Sequence, residues 1–148
     1  MNKTYFNENE QNDLQLLYQF NEKAKVFDEI IPTKEKAQYD AICTHKNRQF
    51  AVELKNRNLK LDSFKTIMIE DYKYLELLLV KQFEGKEPLF INFLLDDTVL
   101  IFNLDKVKNK PNFKNIPIKS NGYEKEQMER RYYLDIKDAI VYKDCKLN

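Results

Sequence analysis

Two short apolar runs, Ala41-Ile42-Cys43-Thr44 and Gln49-Phe50-Ala51-Val52, stand on either side of Lys46-Asn47, and no other feature constrains the fold as tightly. Both runs have strand chemistry and Asn47 is a turn former, so the segment predicts a β-hairpin. A turn centred on Lys46-Asn47 sets the register: paired positions sum to 93, as 46 and 47 do. In that register Asp40 lies opposite Glu53. Side chains alternate between faces, so Lys55 joins the two acids while Leu54 points the other way. Directly opposed carboxylates have Cβ atoms about 4.5–5.5 Å apart, an arrangement that is destabilising by itself. A divalent cation reverses the sign of that cost, and the pattern reads as a metal site with a lysine beside it. A one-residue slip would send Asp40 to the other face and dissolve the site.

A length of 148 residues with 43% hydrophobic content suits one domain, residues 1–148, with a real core. Only two Gly and four Pro occur, so regular elements should dominate and a Gly-rich phosphate loop is excluded. The formal net charge is +1 with 33% charged residues, so any nucleic-acid role needs a local patch. Cys43 and Cys145 stand far apart, and Cys43 reads as a small buried hydrophobe in the hairpin. Met1 to Glu10 has no apolar signal region, and no apolar run approaches the roughly 18 residues of a membrane span. No membrane partner and a reducing, cytoplasmic setting are expected.

Along the chain, residues from about Glu8 to Lys25 predict a helix, with Asn7 as cap and Glu10 completing a capping box. Val26 to Ile31 predicts a short strand stopped by Pro32, and the hairpin follows. Asn56 to Ser63 reads as a loop. From about Ile69 to Phe83, apolar positions at Tyr72, Leu75, Leu78, Leu79 and Phe83 follow helical spacing, and Gly85 can end the helix. A second hairpin is expected from Pro88–Leu95 and Thr98–Leu104 around Asp96-Asp97, which read as a turn. Lys106 to Lys119 reads as irregular, Glu124 to Arg131 as a solvated helical turn, and Arg131 to Tyr142 as a final strand. The order predicts an α/β or α+β domain: a helix–strand–hairpin–helix–hairpin succession with a C-terminal strand, forming a mixed sheet covered by helices.

Phosphodiester hydrolysis needs an activated water and neutralisation of charge at phosphorus. Bound Mg²⁺ or Mn²⁺ provides both, and carboxylate oxygens are its preferred protein ligands. Asp40 and Glu53 can each donate an oxygen and the backbone carbonyl of Leu54 a third, while Lys55 sits one alternation on, where it can orient the nucleophile.

Asp40 with Glu53-Leu54-Lys55, the helix before them and the helix and strand pair after them resemble the PD-(D/E)xK nuclease superfamily. That superfamily includes type II restriction enzymes, archaeal-type Holliday junction resolvases and many phage nucleases. The resemblance spans roughly Glu10 to Leu104, and Tyr39 stands where the family often carries Pro. It implies a restriction-endonuclease-like core, metal binding by Asp40 and Glu53, and catalytic assistance from Lys55. Many members also aim a Glu of the first helix at the metal; Glu10 and Glu22 are the candidates, with spacing favouring Glu10. On the second helix a polar or basic side chain faces the site in phage-type members, and Lys73 is the residue for that role.

Lys106, Lys108, Lys110, Lys114 and Lys119 come without an intervening acid and read either as a solvated loop or as a phosphate-backbone grip, with Phe113 or Tyr123 adding stacking. Arg57 and Lys60, just past the catalytic strand, are expected to flank the cleft and, with Lys73, to contact nucleic-acid phosphates. His45, the sole histidine, reads as a solvated turn residue, and without a second His or a Cys partner it argues against a zinc site. The expectation is a Mg²⁺- or Mn²⁺-dependent DNA endonuclease, better suited to structure-selective cutting, as of branched junctions, than to long-sequence recognition. Cutting both strands at one place calls for a two-fold homodimer. The alternative is a non-catalytic nucleic-acid- or protein-binding module on the same fold.

Overall fold

The computed structural model describes residues 2–34, 37–119 and 126–147, and side chains over 12–34, 37–117 and 128–147. Helix α1 (Asn2–Ala24) leads into β1 (Glu29–Pro32), β2 (Ala41–His45) and β3 (Arg48–Asn56). Then come β4 (Thr66–Glu70), α2 (Asp71–Glu84), β5 (Glu87–Phe93), β6 (Val99–Asn103), β7 (Asn112–Lys119), β8 (Glu126–Asp135) and β9 (Ile140–Tyr142). A six-stranded sheet runs β1-β2-β3-β5-β6-β9, and a three-stranded sheet runs β4-β8-β7.

The first hairpin has the expected register, from Ala41 opposite Val52 to His45 opposite Arg48. Lys46 turns the chain at φ 55°. β3 and β5 are parallel, with Glu53 opposite Phe90 and Lys55 opposite Asn92. β6 returns antiparallel to β5. The large sheet is therefore mixed, and the connection between its parallel strands carries β4 and α2.

Alternation assigns each sheet face its own core. Leu17 and Phe20 of α1 pack with Cys43, Val52, Leu54 and Ile91 on one side. On the other, Ile42, Ala51 and Phe90 pack with Leu77 and Val80 of α2 and with Ile67, Ile69 and Leu134 of the small sheet. Glu53 and Lys55 share the parity of the second group, so they lie on the α2 side; Asp40, one residue before β2, lies outside the ladder and is not opposite Glu53 in it. α2 ends where Gly85 takes φ 71°, its N–H donating to the Lys81 carbonyl.

Several expectations need correction. Helix α1 begins at Asn2, so Asn7 lies within it and is no cap. β1 is displaced toward Pro32, which pairs with Ala41 as the last residue of an edge strand. The small sheet departs from the sequence expectation altogether. Ile69, with Ile67, belongs to β4 and not to the start of α2. The stretch read as irregular contains β7, and residues 126–131 of the expected helical turn form β8. Pro117 is tolerated because β7 is an edge strand, where a missing N–H costs no ladder bond if it faces outward. The apolar positions of α2 also divide differently from their spacing. Leu77 and Val80 are buried, whereas Tyr72, Leu75, Leu79 and Phe83 are exposed.

Candidate functional site

Asp40 stands immediately before β2. Its backbone N–H donates to the Val52 carbonyl at 2.8 Å, and its Oδ2 accepts the Leu54 N–H at 2.8 Å. The acid is thus fastened to the peptide that joins Glu53 to Leu54. A residue of an extended strand sends its N–H and its carbonyl to the same side. The Leu54 carbonyl therefore points to the β2 side, past the last ladder pair, Ala41 with Val52.

Glu53 is mostly covered, its side chain only 18% exposed. Burial, then the negative charge of Asp40, push its carboxyl up to about 8, against the opposing pull of Lys73 and Lys55. The field of Glu70 pushes in the same direction as Asp40. Five ionisable groups therefore share one electrostatic neighbourhood: Asp40, Glu53, Glu70, Lys55 and Lys73.

Lys73 projects from the first turn of α2 toward the sheet. Its Nζ lies 3.7 Å from Glu53 Oε1 and 3.5 Å from Glu76 Oε2, and donates to the Gln38 carbonyl at 2.9 Å. Lys55 is exposed at the rim. Glu70 is a member of the group that the motif spacing does not single out. It is the last residue of β4 and immediately precedes α2, so the strand-to-helix corner carries its carboxylate into the field of Glu53. The alternation Ile67-x-Ile69 followed by Glu70-Asp71 is the signal that marks this corner.

The other expected residues separate. Glu10 lies among residues whose side chains are outside the described set. Glu22 is exposed on α1, which packs against the opposite sheet face. Arg57 does not present a free cation to solvent: its Nε donates to Asn92 Oδ1 at 3.0 Å, its Nη2 donates to the Met68 carbonyl, and its guanidinium lies 5.8 Å from the Phe90 ring centre. It joins the large sheet to β4. Lys60 is exposed in the loop after β3.

Lys106 pairs with Glu87 at 3.4 Å, and Glu87 is opposite Phe50 near the start of β3. The loop carrying Lys108 and Lys110 thus leaves the sheet at the end away from Glu53 and Lys55, held by backbone bonds from Lys108 and Asn109 to Asp138. The reason is the antiparallel return of β6, which takes the chain back to that end. Lys114 is closer in kind: it is opposite Arg131, which is opposite Glu70, so the three form one cross-strand row. Its Nζ stands 5.4 Å from the Tyr133 ring centre. The Lys119 side chain and Tyr123 lie outside the described residues. His45 is beside the turn, its Nδ1 3.7 Å from Asp28 Oδ1.

A divalent cation suits the donors that converge. Burial first and Asp40 second raise the Glu53 carboxyl, a penalty that a cation would relieve, and the hard oxygens of both acids are the type Mg²⁺ takes. Among the described residues, no three His, Cys, Asp or Glu side chains cluster at metal-holding spacing. Mg²⁺ commonly binds through one or two carboxylates and keeps several waters, so two acids and the Leu54 carbonyl meet its needs. A cavity of about 590 Å³ bordered by Phe27, Arg48, Phe50 and Tyr142 lies on the α1 side, away from these acids. No described helix is long and apolar enough to cross a membrane.

No family model matches the chain, and no curated protein matches it in sequence. Among solved structures it is similar to Hjc of Archaeoglobus fulgidus, a Holliday junction resolvase from an archaeal hyperthermophile. The similarity covers 76% of this chain and 82% of that one, at 12% sequence identity and a TM-score of 0.49.

Proposed function

We propose that this chain is a metal-dependent DNA endonuclease of the PD-(D/E)xK type, with a restriction-endonuclease-like core. One observation carries the reading: Asp40, whose Oδ2 accepts the Leu54 N–H, stands close enough to Glu53 for its charge to add to the burial that raises the Glu53 carboxyl, a penalty that a bound cation would relieve. Asp40, Glu53 and the Leu54 carbonyl would hold Mg²⁺ or Mn²⁺, which when bound supplies Lewis-acid charge to a scissile phosphate and lowers the pKa of a water.

The rest falls to the chain. Asp40 keeps the Glu53-Leu54-Lys55 backbone in place through the Leu54 N–H. Lys73 lies beside Glu53 and favours its ionised form. Lys55, exposed at the rim, would orient the attacking water and offset negative charge developing on the phosphate. Lys60 and Lys114 are exposed cations for the flanking phosphates. The substrate class we favour is branched DNA, and paired cuts in opposing strands would need two copies of the chain.

A second reading, a binding module without catalysis, draws on Lys73, whose ammonium already stands near Glu53 where a cation's charge would act. Incubation of the native chain and Lys55→Ala with linear, nicked and four-way DNA in Mg²⁺ or Mn²⁺ separates the two. Metal-dependent cutting by the native chain alone is the expected result. Binding without cutting of any form, unchanged in Lys55→Ala, would establish the module instead.

A further inference from the structure

The outward face of α2 is apolar along its length. Tyr72, Leu75, Leu79 and Phe83 are 58%, 47%, 48% and 77% exposed. Their spacing of three, four and four residues places them in one stripe on the helix. Isolated exposed apolar residues are ordinary, but a contiguous large stripe marks an interaction surface. Here it occurs in a chain whose mean hydropathy is −0.68.

We infer that this stripe is the interface for a second copy of the chain, with the two α2 helices antiparallel about a two-fold axis. The spacing is nearly the same read in either direction. An antiparallel partner therefore sets Leu75 against the second copy's Leu79, and Tyr72 against its Phe83, as an isologous contact requires. The area agrees. Taking about 200 Å² for a fully exposed aromatic side chain, the 58% and 77% exposures leave roughly 270 Å² open on Tyr72 and Phe83 together. Doubled across the axis, that is over half of the about 1,000 Å² a specific interface needs, before either leucine is added. Nucleic acid fits the stripe poorly: no Lys or Arg lies on it, and Glu76 is beside it. This inference stands on the helix surface and is independent of any nuclease activity. It has a consequence for the site, because Tyr72 is next to Lys73 near the start of α2. Antiparallel pairing puts one Asp40–Glu53 site toward each end of the helix pair.

Sedimentation of the full native chain at micromolar to about 200 μM concentration tests this directly. A species of twice the 17.9 kDa chain mass is expected. Leu75→Glu with Leu79→Glu should give a monomer whose circular dichroism is unchanged, because both side chains face outward. Leu75→Cys with Leu79→Cys should oxidise to a covalent dimer; the native Cys43 and Cys145 are buried and give little background. A native chain that stays monomeric at the highest concentration overturns the inference. So does a dimer that survives the glutamates without forming the cross-link, or a monomer whose DNA binding, and not its mass, responds to the glutamates.

Discussion

Asp40 Oδ2 accepts the backbone N–H of Leu54 at 2.8 Å, so one acid of the site fastens the strand that carries the other. This divides the role of Asp40 between geometry and charge. Asp40→Asn can still present an oxygen to that N–H, whereas Asp40→Ala leaves it without this acceptor, at about 1 kcal/mol. Urea unfolding should therefore find the alanine variant less stable than the asparagine variant by roughly that amount. Both should lose metal-dependent cleavage. Equal stabilities would remove the geometric role.

Glu53 gives the metal-free protein an unusual pH dependence. Its carboxyl is pushed up to about 8 from an ordinary 4.5, by burial first and by Asp40 second. Between those values the folded state holds a proton that the unfolded chain has released. The contribution of Glu53 is therefore fully present below about 4.5 and is lost as pH rises through about 8. Each unit of difference corresponds to about 1.4 kcal/mol. Thermal melts in chelator should show stability falling from pH 5 to pH 8.5, and Glu53→Gln, which cannot ionise, should flatten that fall. Binding of Mg²⁺ to the native chain should release a proton near pH 7, measurable in a weakly buffered titration.

The hairpin is legible in the sequence because a two-residue turn sets register by counting, and the ladder follows that register from His45 to Ala41; Asp40, one residue beyond it, instead reaches the Leu54 N–H. The second hairpin and the end of α2 at Gly85 are legible for similar local reasons. The small sheet is not. Its β8 carries Glu129, Arg130 and Arg131 in a row, which resembles a solvated helix unless the partner strands are known. Those partners, β4 and β7, lie far from each other in sequence. Hiding β4 also hides Glu70, since a helix begun at Ile69 leaves no corner to carry it to the site. Arg57 escapes sequence reading for a related reason. Its acceptors, Asn92 and the Met68 carbonyl, come from two different sheets, and proximity in sequence to Lys55 says nothing of them.

Arg57 and the exposed lysines should consequently respond differently to substitution. Arg57→Ala removes a guanidinium bonded to the fully buried Asn92, whose Nδ2 already lacks a hydrogen-bond partner among the described residues. A drop of about 2–3 kcal/mol in urea unfolding is expected, from stranded acceptors and the packing removed over Phe90. Lys60→Ala and Lys114→Ala should leave the melt unchanged and instead lower the salt dependence of DNA binding, by about one unit of slope for each phosphate left without its lysine. If Arg57→Ala folds as stably as the native chain and alone alters the slope, Arg57 is a phosphate ligand after all.

At the far end of the sheet, Glu87 is a separate stability element with the opposite pH sign. Arg48 grips its two oxygens through Nε and Nη2, each at 2.7 Å, and Asn103 and Lys106 add further partners. The Arg48 hydrogen bonds lead in holding its carboxyl down at about 2, although burial opposes them. A depressed carboxyl contributes stability above its unfolded value, and that stability is lost as pH falls from about 4.5 through about 2. Arg48→Ala leaves Glu87 with only its weaker partners. It should cost about 2 kcal/mol at pH 7, a typical penalty when a buried charge is deprived of a hydrogen-bonded partner. The same variant should flatten the acid limb of the stability profile. Glu87→Gln in the native background should flatten that limb too. It should leave the fall between pH 5 and 8.5 untouched, because that fall belongs to Glu53, further along β3.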